Sequence, residues 1–322
     1  MRVLVTGASG LLGSSTARAL LTAGHEVTTL QRRPSGADGA RDVLGSVTDR
    51  EAVEQAVHGQ DALIHLAAKV SMAGSAADFD RVNVEGTRTV LAAARTAGVG
   101  RMVHISSPSV AHAGSSIIGE PAGPADPARA RGDYARTKAA CELLALAADG
   151  PDFPVLVLRP HLMWGPGDAQ LTERIIDRAR AGRLPILGSG LMLVDTLYAA
   201  NAVEAIVAAL RSVERTHGES LVVTNGQPRP IGELLTRIAL AGGAPAPRLR
   251  LPARLAQEAG GAVERVWNLR EHDDEPPLTR FLAEQLSTAH WFDQRRTREV
   301  LGWAPAVSIE QGMAELAEHY GQ

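Results

Sequence analysis

The sequence has little or nothing of several features that would assign it to a common class. Its one cysteine, Cys141, excludes an internal disulfide framework and a metal site built from several thiolates. No apolar run approaches the ~20 residues that a membrane span needs, and the opening MRVLVTGASG lacks the pattern of a signal peptide. The net charge of −3 gives no electrostatic attraction for nucleic acid or an anionic membrane surface. These absences predict a cytoplasmic protein with no nucleic-acid partner and no membrane span.

Lysine is nearly absent as well. Among the 33 basic residues only Lys69 and Lys138 are lysines, and tyrosine occurs three times. Yet Tyr134 and Lys138 stand four residues apart in GDYARTKAA, a segment compatible with a helix, so both side chains can reach one point beside it. A nearby ammonium favours the phenolate and is expected to lower the tyrosine pKa from about 10. The pair is therefore predicted to be an acid–base group whose compact ammonium also reaches ribose hydroxyls better than a guanidinium would.

The first half of the chain alternates strand and helix patterns. Apolar runs rich in β-branched residues predict strands at 2–6, 26–30, 61–66, 101–106 and 154–159. Helical patterns lie at 11–23, 50–57, 79–97 and 133–148. This alternation predicts an α/β fold with a parallel sheet covered on both faces. Later segments predict helices at 170–181, 199–213, 231–241 and 308–320 (capped by Ser308), a strand at 219–225, and short helices and loops over 242–290.

A glycine-rich turn follows the first strand. VTGASGLLG places Gly7, Gly10 and Gly13 between strand and helix, where glycine permits a tight turn and close approach of the backbone to a pyrophosphate. The new helix presents free N–H groups and its positive dipole end to phosphates. An ordinary strand–helix turn is the alternative, but the position favours dinucleotide binding. The residues predicted to contact the cofactor here are Gly7, Ser9, Gly10, Leu11, Leu12 and Gly13.

The end of the second strand bears on the choice between the two nicotinamide cofactors. An acidic residue there binds ribose hydroxyls, whereas arginine accommodates a 2′-phosphate. Gln31 stands in place of the acid, and Arg32 and Arg33 follow it. The segment predicts NADP(H) in preference to NAD(H), although two surface arginines are also ordinary in an arginine-rich chain.

Polar side chains elsewhere extend the candidate catalytic group. HISSPSV ends the fourth strand with Ser106 and Ser107, and a hydroxyl there can bond the substrate oxygen that the tyrosine protonates or deprotonates. Asn83, within the helical pattern FDRVNVEGTRTVL, can anchor the active-site backbone. A solvent-facing asparagine is the alternative.

These motifs, in this order, resemble the extended short-chain dehydrogenase/reductase family. The resemblance rests on TGASGLLG at 6–13, HLAA at 65–68, VNVEGT at 82–87, the serine after the fourth strand, YARTK at 134–138 and LRPHLMWGPGD at 158–168. It implies a Rossmann-type doubly wound parallel sheet over residues 1–165, completed near 186–227, and a smaller, mainly substrate-binding lobe over 166–322. It also implies a catalytic Ser107, Tyr134 and Lys138 with a supporting Asn83.

The same resemblance implies further contacts and partners. Besides Tyr134 and Lys138, the implied cofactor contacts are Val47, Leu66, Ala67, Ala68, Ser106, Pro160 and Leu162. An aspartate common in the family is missing at Ser46, which leaves an adenine contact open. Such proteins often dimerise through helices that correspond to 79–97 and 133–148, so a homodimer is expected. No metal site is predicted, because no H-x-H or H-E-x-x-H occurs and EHDDE at 271–275 is interpreted as a solvated loop.

Two positions bear on the substrate. Sugar-nucleotide members of the family usually carry an asparagine at the position of Leu162 and often an arginine at the position of Val194. Without these groups a diphosphate would be buried against apolar atoms, which is unfavourable. Nucleotide sugars are therefore disfavoured, although an epimerase or dehydratase acting on them stays the alternative.

The C-terminal stretch 275–303 resembles the 3β-hydroxysteroid dehydrogenase branch, and the closest likeness is to the 2-alkyl-3-oxoalkanoate reductases of olefin biosynthesis. The predicted function is NADP(H)-dependent interconversion of a ketone and a secondary alcohol on a bulky hydrophobic substrate of this kind. Predicted substrate contacts are Ser107, His161, Met163 and Trp164, with packing of the lobe as the alternative for the apolar ones. A cofactor-sensing regulator would not need Tyr134 and Lys138.

Overall fold

The computed structural model describes residues 1–70, 75–112, 114–267 and 279–321. Its helices are α1 (Leu11–Thr22), α2 (Arg50–Val57), α3 (Ala76–Phe79), α4 (Gly86–Thr96), α5 (Gly132–Ala147), α6 (Thr172–Arg180), α7 (Ala199–Ser212), α8 (Ile231–Ala241), α9 (Ala253–Trp267), α10 (Arg280–Gln285), α11 (Arg295–Leu301) and α12 (Ile309–Tyr320). Its strands are β1 (Arg2–Thr6), β2 (Glu26–Gln31), β3 (Arg41–Leu44), β4 (Ala62–His65), β5 (Met102–Ile105), β6 (Ile117–Glu120), β7 (Val155–Pro160), β8 (Met163–Trp164), β9 (Pro185–Leu187), β10 (Leu193–Val194), β11 (Leu197–Tyr198), β12 (Glu219–Val223), β13 (Arg229–Pro230), β14 (Leu249–Leu251) and β15 (His290–Phe292).

The main sheet is parallel and doubly wound. Within the described residues its seven strands follow the order β12-β7-β5-β4-β1-β2-β3. β1 pairs with β2 on one side and with β4 on the other, so Val3 lies opposite both Val27 and Ala62. The chain therefore reverses its direction of travel across the sheet beside β1. Ligands of open α/β sheets bind beyond the carboxyl ends of the strands at such a switch point.

The core has one apolar layer on each face of this sheet. Successive side chains of β1 alternate, so Val3 and Val5 join one layer and Leu4 joins the other. The first layer includes Leu20 of α1 and Ile206 of α7, and the second includes helices α2, α4 and α5. Both faces are covered, as expected for a parallel sheet with apolar strands.

The predicted strands and helices of the first half are confirmed, with three differences. β6 was not predicted, because it is short and its side chains are half-buried or exposed. β3 was not predicted, because three of its four side chains are exposed and it has no apolar run. The helix expected over 79–97 is divided by a π-helical turn, Asp80–Glu85, between α3 and α4. That turn contains Asn83, whose side chain bonds the neighbouring chain segment as described below. Such turns occur frequently at functional sites.

A further apolar cluster, besides the two layers on the main sheet, lies among later segments of the chain. It contains Trp164, Ile176 of α6, Leu235 of α8 and Leu316 of α12. A four-stranded sheet of order β13-β10-β15-β6 lies in the same half of the described chain, except that β6 comes from the first half. The Ser308 cap is confirmed, since its hydroxyl accepts from Gln311 N at 3.2 Å. α9 has 15 residues and is longer than the short helices expected over 242–290. The division of the chain near residue 165 stays a prediction.

Candidate active site

The glycine turn closes tightly against the end of β4. Gly7 has φ of +77°, and its N–H donates to Leu30 O at 2.9 Å. A Cβ on Gly7 would lie 2.8 Å from Ala67 N, and one on Gly13 would lie 2.4 Å from Gly7 O. Larger residues at these two positions would push the turn away from the sheet and from the HLAA segment, so glycine is required here for packing.

The start of α1 fits a phosphate group. Gly10 is its N-cap, with no side-chain hydrogen bond to the helix and no acidic residue in the first turn. A Cβ on Gly10 would have only Gly7 O, at 3.7 Å, within 4 Å, and Ser9 and Leu11 are exposed. The free N–H groups and positive end of the helix therefore face open space, which suits the diphosphate of a dinucleotide.

Asp42, which was not identified from the sequence, holds the end of β2 and the segment after it by hydrogen bonds. Asp42 of β3 accepts hydrogen bonds from Thr29 Oγ1 at 2.5 Å, from Gln31 Nε2 at 3.2 Å and from Ser35 N at 3.0 Å. These bonds hold the segment between β2 and β3 and leave Arg32 and Arg33 exposed beside it. β3 is too short to be recognised from the sequence, so nothing in the sequence indicated a role for Asp42.

The other implied cofactor contacts line the same edge of the sheet or the core behind it. Ala67 N donates to Thr6 Oγ1 at 3.1 Å, and Leu66 and Ala68 on either side are half-buried. Val47 is 6% exposed and belongs to the core layer with α2 and α4. Leu162 has φ of +41°, a strained value for a side chain of this kind. Their roles toward a cofactor stay predictions.

Lys138 is buried at the end of β5. Its side chain is 4% exposed, and its Nζ donates to Ile105 O at 2.5 Å. Burial lowers the pKa of Lys138, and Cys141 and Glu142 oppose that effect. The ammonium therefore bonds the backbone directly before Ser106 and Ser107.

Tyr134 is partnered with Ser107, one helical turn from Lys138. Burial raises the pKa of Tyr134 above its ordinary value, and the hydrogen bond with Ser107 opposes the rise without cancelling it. The expectation that Lys138 lowers this pKa is wrong for the structure, because burial dominates and the ammonium is directed at Ile105 O. The tyrosine therefore holds its proton at neutral pH.

The two serines at the end of β5 have different surroundings. Ser107 caps a short 3₁₀ turn, Pro108–Ala111, and its Oγ accepts from Ser109 N at 3.3 Å and from Ser109 Oγ at 3.0 Å. Ser106 is 5% exposed, its N–H donates to Leu158 O at 2.7 Å, and its Oγ has no hydrogen-bond partner among the described residues. Ser109 was not identified from sequence, because its position beside Ser107 depends on the 3₁₀ turn.

Asn83 joins the segment after β4 to α5. It is 1% exposed; its Oδ1 accepts from Lys69 N at 2.6 Å, and its Nδ2 donates to Lys69 O at 3.2 Å and to Thr137 Oγ1 at 3.0 Å. The solvent-facing alternative is therefore wrong. Thr137 directly precedes Lys138, so these bonds support the helix that carries both candidate catalytic side chains.

The segment after β7 contains the predicted substrate contacts. His161 is buried, with Nδ1 2.6 Å from Asp195 O, and Met163 is half-buried against the core. Trp164 is fully buried, donates from Nε1 to Thr196 Oγ1 at 3.0 Å and stacks edge-on with Tyr198. For Trp164 the structure favours packing of the lobe over a substrate contact, which corrects the prediction. The apolar character of a residue does not by itself show whether its side chain contacts a substrate or packs in the core at the end of a strand.

The two positions that separate sugar-nucleotide members are apolar in their surroundings as well as in sequence. Val194 is fully buried and Leu162 packs against the cluster that contains Trp164. The described residues contain no group of three or more side chains placed to hold a metal ion, and none of their helices is long and apolar enough to cross a membrane. The EHDDE segment lies outside the described residues.

Comparison with known proteins assigns the molecule to the NAD(P)-dependent oxidoreductases of the Rossmann type that act on CH–OH groups. The chain belongs to the NAD dependent epimerase/dehydratase family, whose sequence profile matches residues 3–224. It is 40% identical to the 2-alkyl-3-oxoalkanoate reductase of Stenotrophomonas maltophilia, over 98% of each chain. It is 30% identical to the 3-beta-hydroxysteroid dehydrogenase of Mycolicibacterium neoaurum, over 99% of this chain and 91% of the relative.

A solved structure extends the likeness of fold. MoeE5 in complex with UDP-glucose and NAD superposes with a TM-score of 0.76, at 24% identity, over 99% of this chain and 98% of that one. At this identity the likeness concerns the fold alone. The predicted Rossmann-type α/β fold and the predicted family are confirmed.

Proposed function

We propose that the protein is an NADP(H)-dependent reductase that interconverts a ketone and a secondary alcohol on a bulky hydrophobic substrate, a 2-alkyl-3-oxoalkanoate. The observation that carries the proposal is that Ser107 lies close enough to Tyr134 to affect its pKa, while Lys138, one helical turn from Tyr134, is buried against Ile105 O at the strand end before Ser107. The similarity to a 2-alkyl-3-oxoalkanoate reductase along the whole chain supports this choice of substrate.

The residues divide the work of proton transfer. When bound, the nicotinamide supplies or accepts the hydride. Tyr134, which keeps its proton because burial raises its pKa, donates that proton to the oxygen of the ketone. Ser107 donates a hydrogen bond to the same oxygen and fixes its position, and Ser109 in turn donates to Ser107 Oγ at 3.0 Å. A protonated tyrosine suits the reducing direction at neutral pH.

Lys138 and Asn83 position this group. Lys138 holds the carbonyl of Ile105, and its compact ammonium, one helical turn from Tyr134, would also bond the ribose hydroxyls of the cofactor. Asn83 ties α5 to the segment after β4 through Thr137 and Lys69. Both are buried, so neither is free to move toward solvent.

The cofactor would lie across the carboxyl end of the sheet. Its diphosphate would meet the start of α1 at Gly10 and Leu11, and its adenosine end would meet the segment held by Asp42. The exposed Arg32 and Arg33 are available for a 2′-phosphate, which supports NADP(H) over NAD(H). The buried Ser106 hydroxyl, unpartnered among the described residues, is available to the cofactor or substrate.

Three further predictions belong to this proposal. The protein forms a homodimer through α4 and α5, it is cytoplasmic, and its substrate lobe begins near residue 166. Light scattering on the purified protein measures the first: a mass near 68 kDa, twice the 33.9 kDa of the chain, is expected.

The reaction is tested in the direction of alcohol oxidation, because 3-oxo acids decarboxylate spontaneously. Purified protein is given NADP⁺ with a 2-alkyl-3-hydroxyalkanoic acid, a 3β-hydroxysteroid or a UDP-sugar, and NADPH formation is followed. Turnover of the hydroxy acid is expected. Turnover of the steroid alone would change the substrate assignment, and conversion of the UDP-sugar without net NADPH would contradict the proposal.

A further inference from the structure

Three buried histidines meet beside the candidate active site, and we call His112, His161 and His290 the histidine cluster. The ring centroids of His112 and His290 are 5.7 Å apart, and those of His161 and His290 are 5.4 Å apart. The residues come from the end of the 3₁₀ turn, the end of β7 and the start of β15. Their exposed fractions are 3%, 6% and 1%.

Backbone contacts fix the proton on two of the rings. A carbonyl oxygen can only accept, so His161 Nδ1 carries a hydrogen and donates to Asp195 O at 2.6 Å. A backbone N–H can only donate, so His112 Nδ1 accepts from Gly114 N at 3.3 Å. The hydrogen of neutral His112 therefore lies on Nε2.

The cluster presents N–H groups without acceptors. His112 Nε2 and both ring nitrogens of His290 are buried and have no hydrogen-bond partner among the described residues. Burial lowers the pKa of all three rings, to about 4 for His161 and about 2 for His290, so they are neutral. The backbones of Ser115 and Gln285 lie close enough to His112 and His290 to oppose these pKa shifts, but neither forms a hydrogen bond of ordinary geometry with the unpartnered ring nitrogens. Each of these two rings thus offers one N–H donor, an arrangement that is unfavourable unless an acceptor enters.

Two chain segments connect the cluster to the candidate catalytic residues. His112 ends the 3₁₀ turn that Ser107 caps. Arg131, the N-cap of α5 three residues before Tyr134, is close enough to lower the pKa of His112. A cavity of about 260 Å³ is lined by Pro108, His112 and Phe292, whose ring lies 5.1 Å from that of His161.

Charges of both signs surround the cluster. Glu284 is buried and lies 3.1 Å from Arg280 Nε and 3.8 Å from Arg131 Nε. Its Oε2 makes no hydrogen bond within the described chain and raises the pKa of His112, so it opposes an incoming anion.

We propose that the histidine cluster binds the carboxylate of an acid substrate, with His112 Nε2–H and the ring N–H of His290 as its donors. The inference rests on the proposed function, because Ser107 and Tyr134 would act on the ketone of the same molecule. A carboxylate has two acceptor oxygens for two donors, and hydrogen bonds to an ionised acceptor are the stronger ones. The enzyme then selects a free 3-oxo or 3-hydroxy acid over its ester, its thioester or a steroid, which lack this group.

The test is a binding measurement that does not depend on turnover. Calorimetry on the NADP⁺-loaded protein compares a 2-alkyl-3-hydroxyalkanoic acid with its methyl ester for the natural sequence, His290→Phe and His112→Phe. The natural protein is expected to bind the acid more tightly, and each variant is expected to lose roughly 10- to 100-fold for the acid with little change for the ester. His25→Phe is the matched control and should keep the preference. His25 is a half-buried histidine directly before β2, and its Nδ1 is also unpartnered among the described residues.

Other outcomes overturn the inference. Equal binding of acid and ester by the natural protein, or an equal loss of both in the variants, would show that the cluster only packs the lobe or holds water. If the variant proteins do not fold, His290→Gln and His112→Gln, which keep an N–H donor, must retain the preference. A preference for the acid without any NADPH formation would sustain the inference and contradict the proposed reaction instead.

Discussion

The Lys138 ammonium of α5 donates a 2.5 Å hydrogen bond to the Ile105 carbonyl at the end of β5. Ile105 is followed directly by Ser106 and Ser107, so the lysine holds the strand end that presents the candidate catalytic hydroxyl. This geometry explains why a lysine occurs at position 138 in a chain whose basic residues are otherwise almost all arginine. The Lys138 site is 4% exposed and ends at a single backbone carbonyl, which suits a compact ammonium better than a broad guanidinium with five donors.

Replacing this lysine by arginine is expected to abolish most activity. Lys138→Arg and Lys138→Met should each lower kcat by about 100-fold or more, because the buried site accepts neither the larger cation nor the loss of the charge. Steady-state kinetics with saturating cofactor measure the effect. Lys69→Arg is the control at the chain's other lysine, whose side chain lies over the Phe79 ring. Activity retained in Lys138→Arg would contradict the role given to the compact ammonium.

Tyr134→Phe is expected to separate chemistry from binding. Removal of the proton donor should lower kcat by roughly 100- to 10,000-fold, the usual contribution of a positioned acid. The dissociation constant of NADPH, measured by fluorescence titration, should change little, because the hydroxyl faces Ser107. A large loss of NADPH binding would show that the tyrosine holds the cofactor instead.

The two arginines after β2 are expected to determine the preference for NADPH over NADH. Changing Arg32 and Arg33 together to alanine removes charge-assisted bonds to a 2′-phosphate and should lower kcat/KM for NADPH by roughly 10- to 100-fold. kcat/KM for NADH should stay within about twofold, because NADH lacks that phosphate. Arg95→Ala, at an exposed position on α4, is the control. An equal loss with both cofactors would refute the predicted preference.

Stability is expected to fall in mild acid. Burial lowers the pKa of His65, His161 and His290 to about 3, 4 and 2, so each binds a proton more readily when unfolded. Their stabilising contribution is present above pH ~6.5 and is lost as the pH falls below that value. Asp195, whose pKa burial raises to about 6, acts in the opposite direction. The free energy of unfolding should drop by roughly 4 kcal/mol from pH 7 to pH 5, as measured by urea denaturation. A value independent of pH would mean that these rings are not buried as neutral groups.

The sequence predicted the parts of the site that local rules determine. The turn at Gly7 and Gly13 follows from strand, glycine spacing and helix, and the Tyr134–Lys138 pair follows from helical periodicity. The environment of Lys138 could not be predicted from the sequence, because its partner is a backbone carbonyl from another element and a carbonyl has no sequence signature. β3 lacks the apolar run that marks a buried strand. The histidine cluster joins positions 112, 161 and 290, and only the tertiary fold brings them together.

Hydride transfer to the cofactor can be followed directly through the hydrogen on C3 of the substrate. A 2-alkyl-3-hydroxyalkanoic acid carrying deuterium at C3 is incubated with the protein and NADP⁺, and both products are analysed by mass spectrometry. We expect one deuterium in NADPH for each ketone formed, with NADPH accumulating in solution, and no transfer by Tyr134→Phe. Deuterium that returns to the substrate without net NADPH, as an epimerase cycle would give, would contradict this expectation.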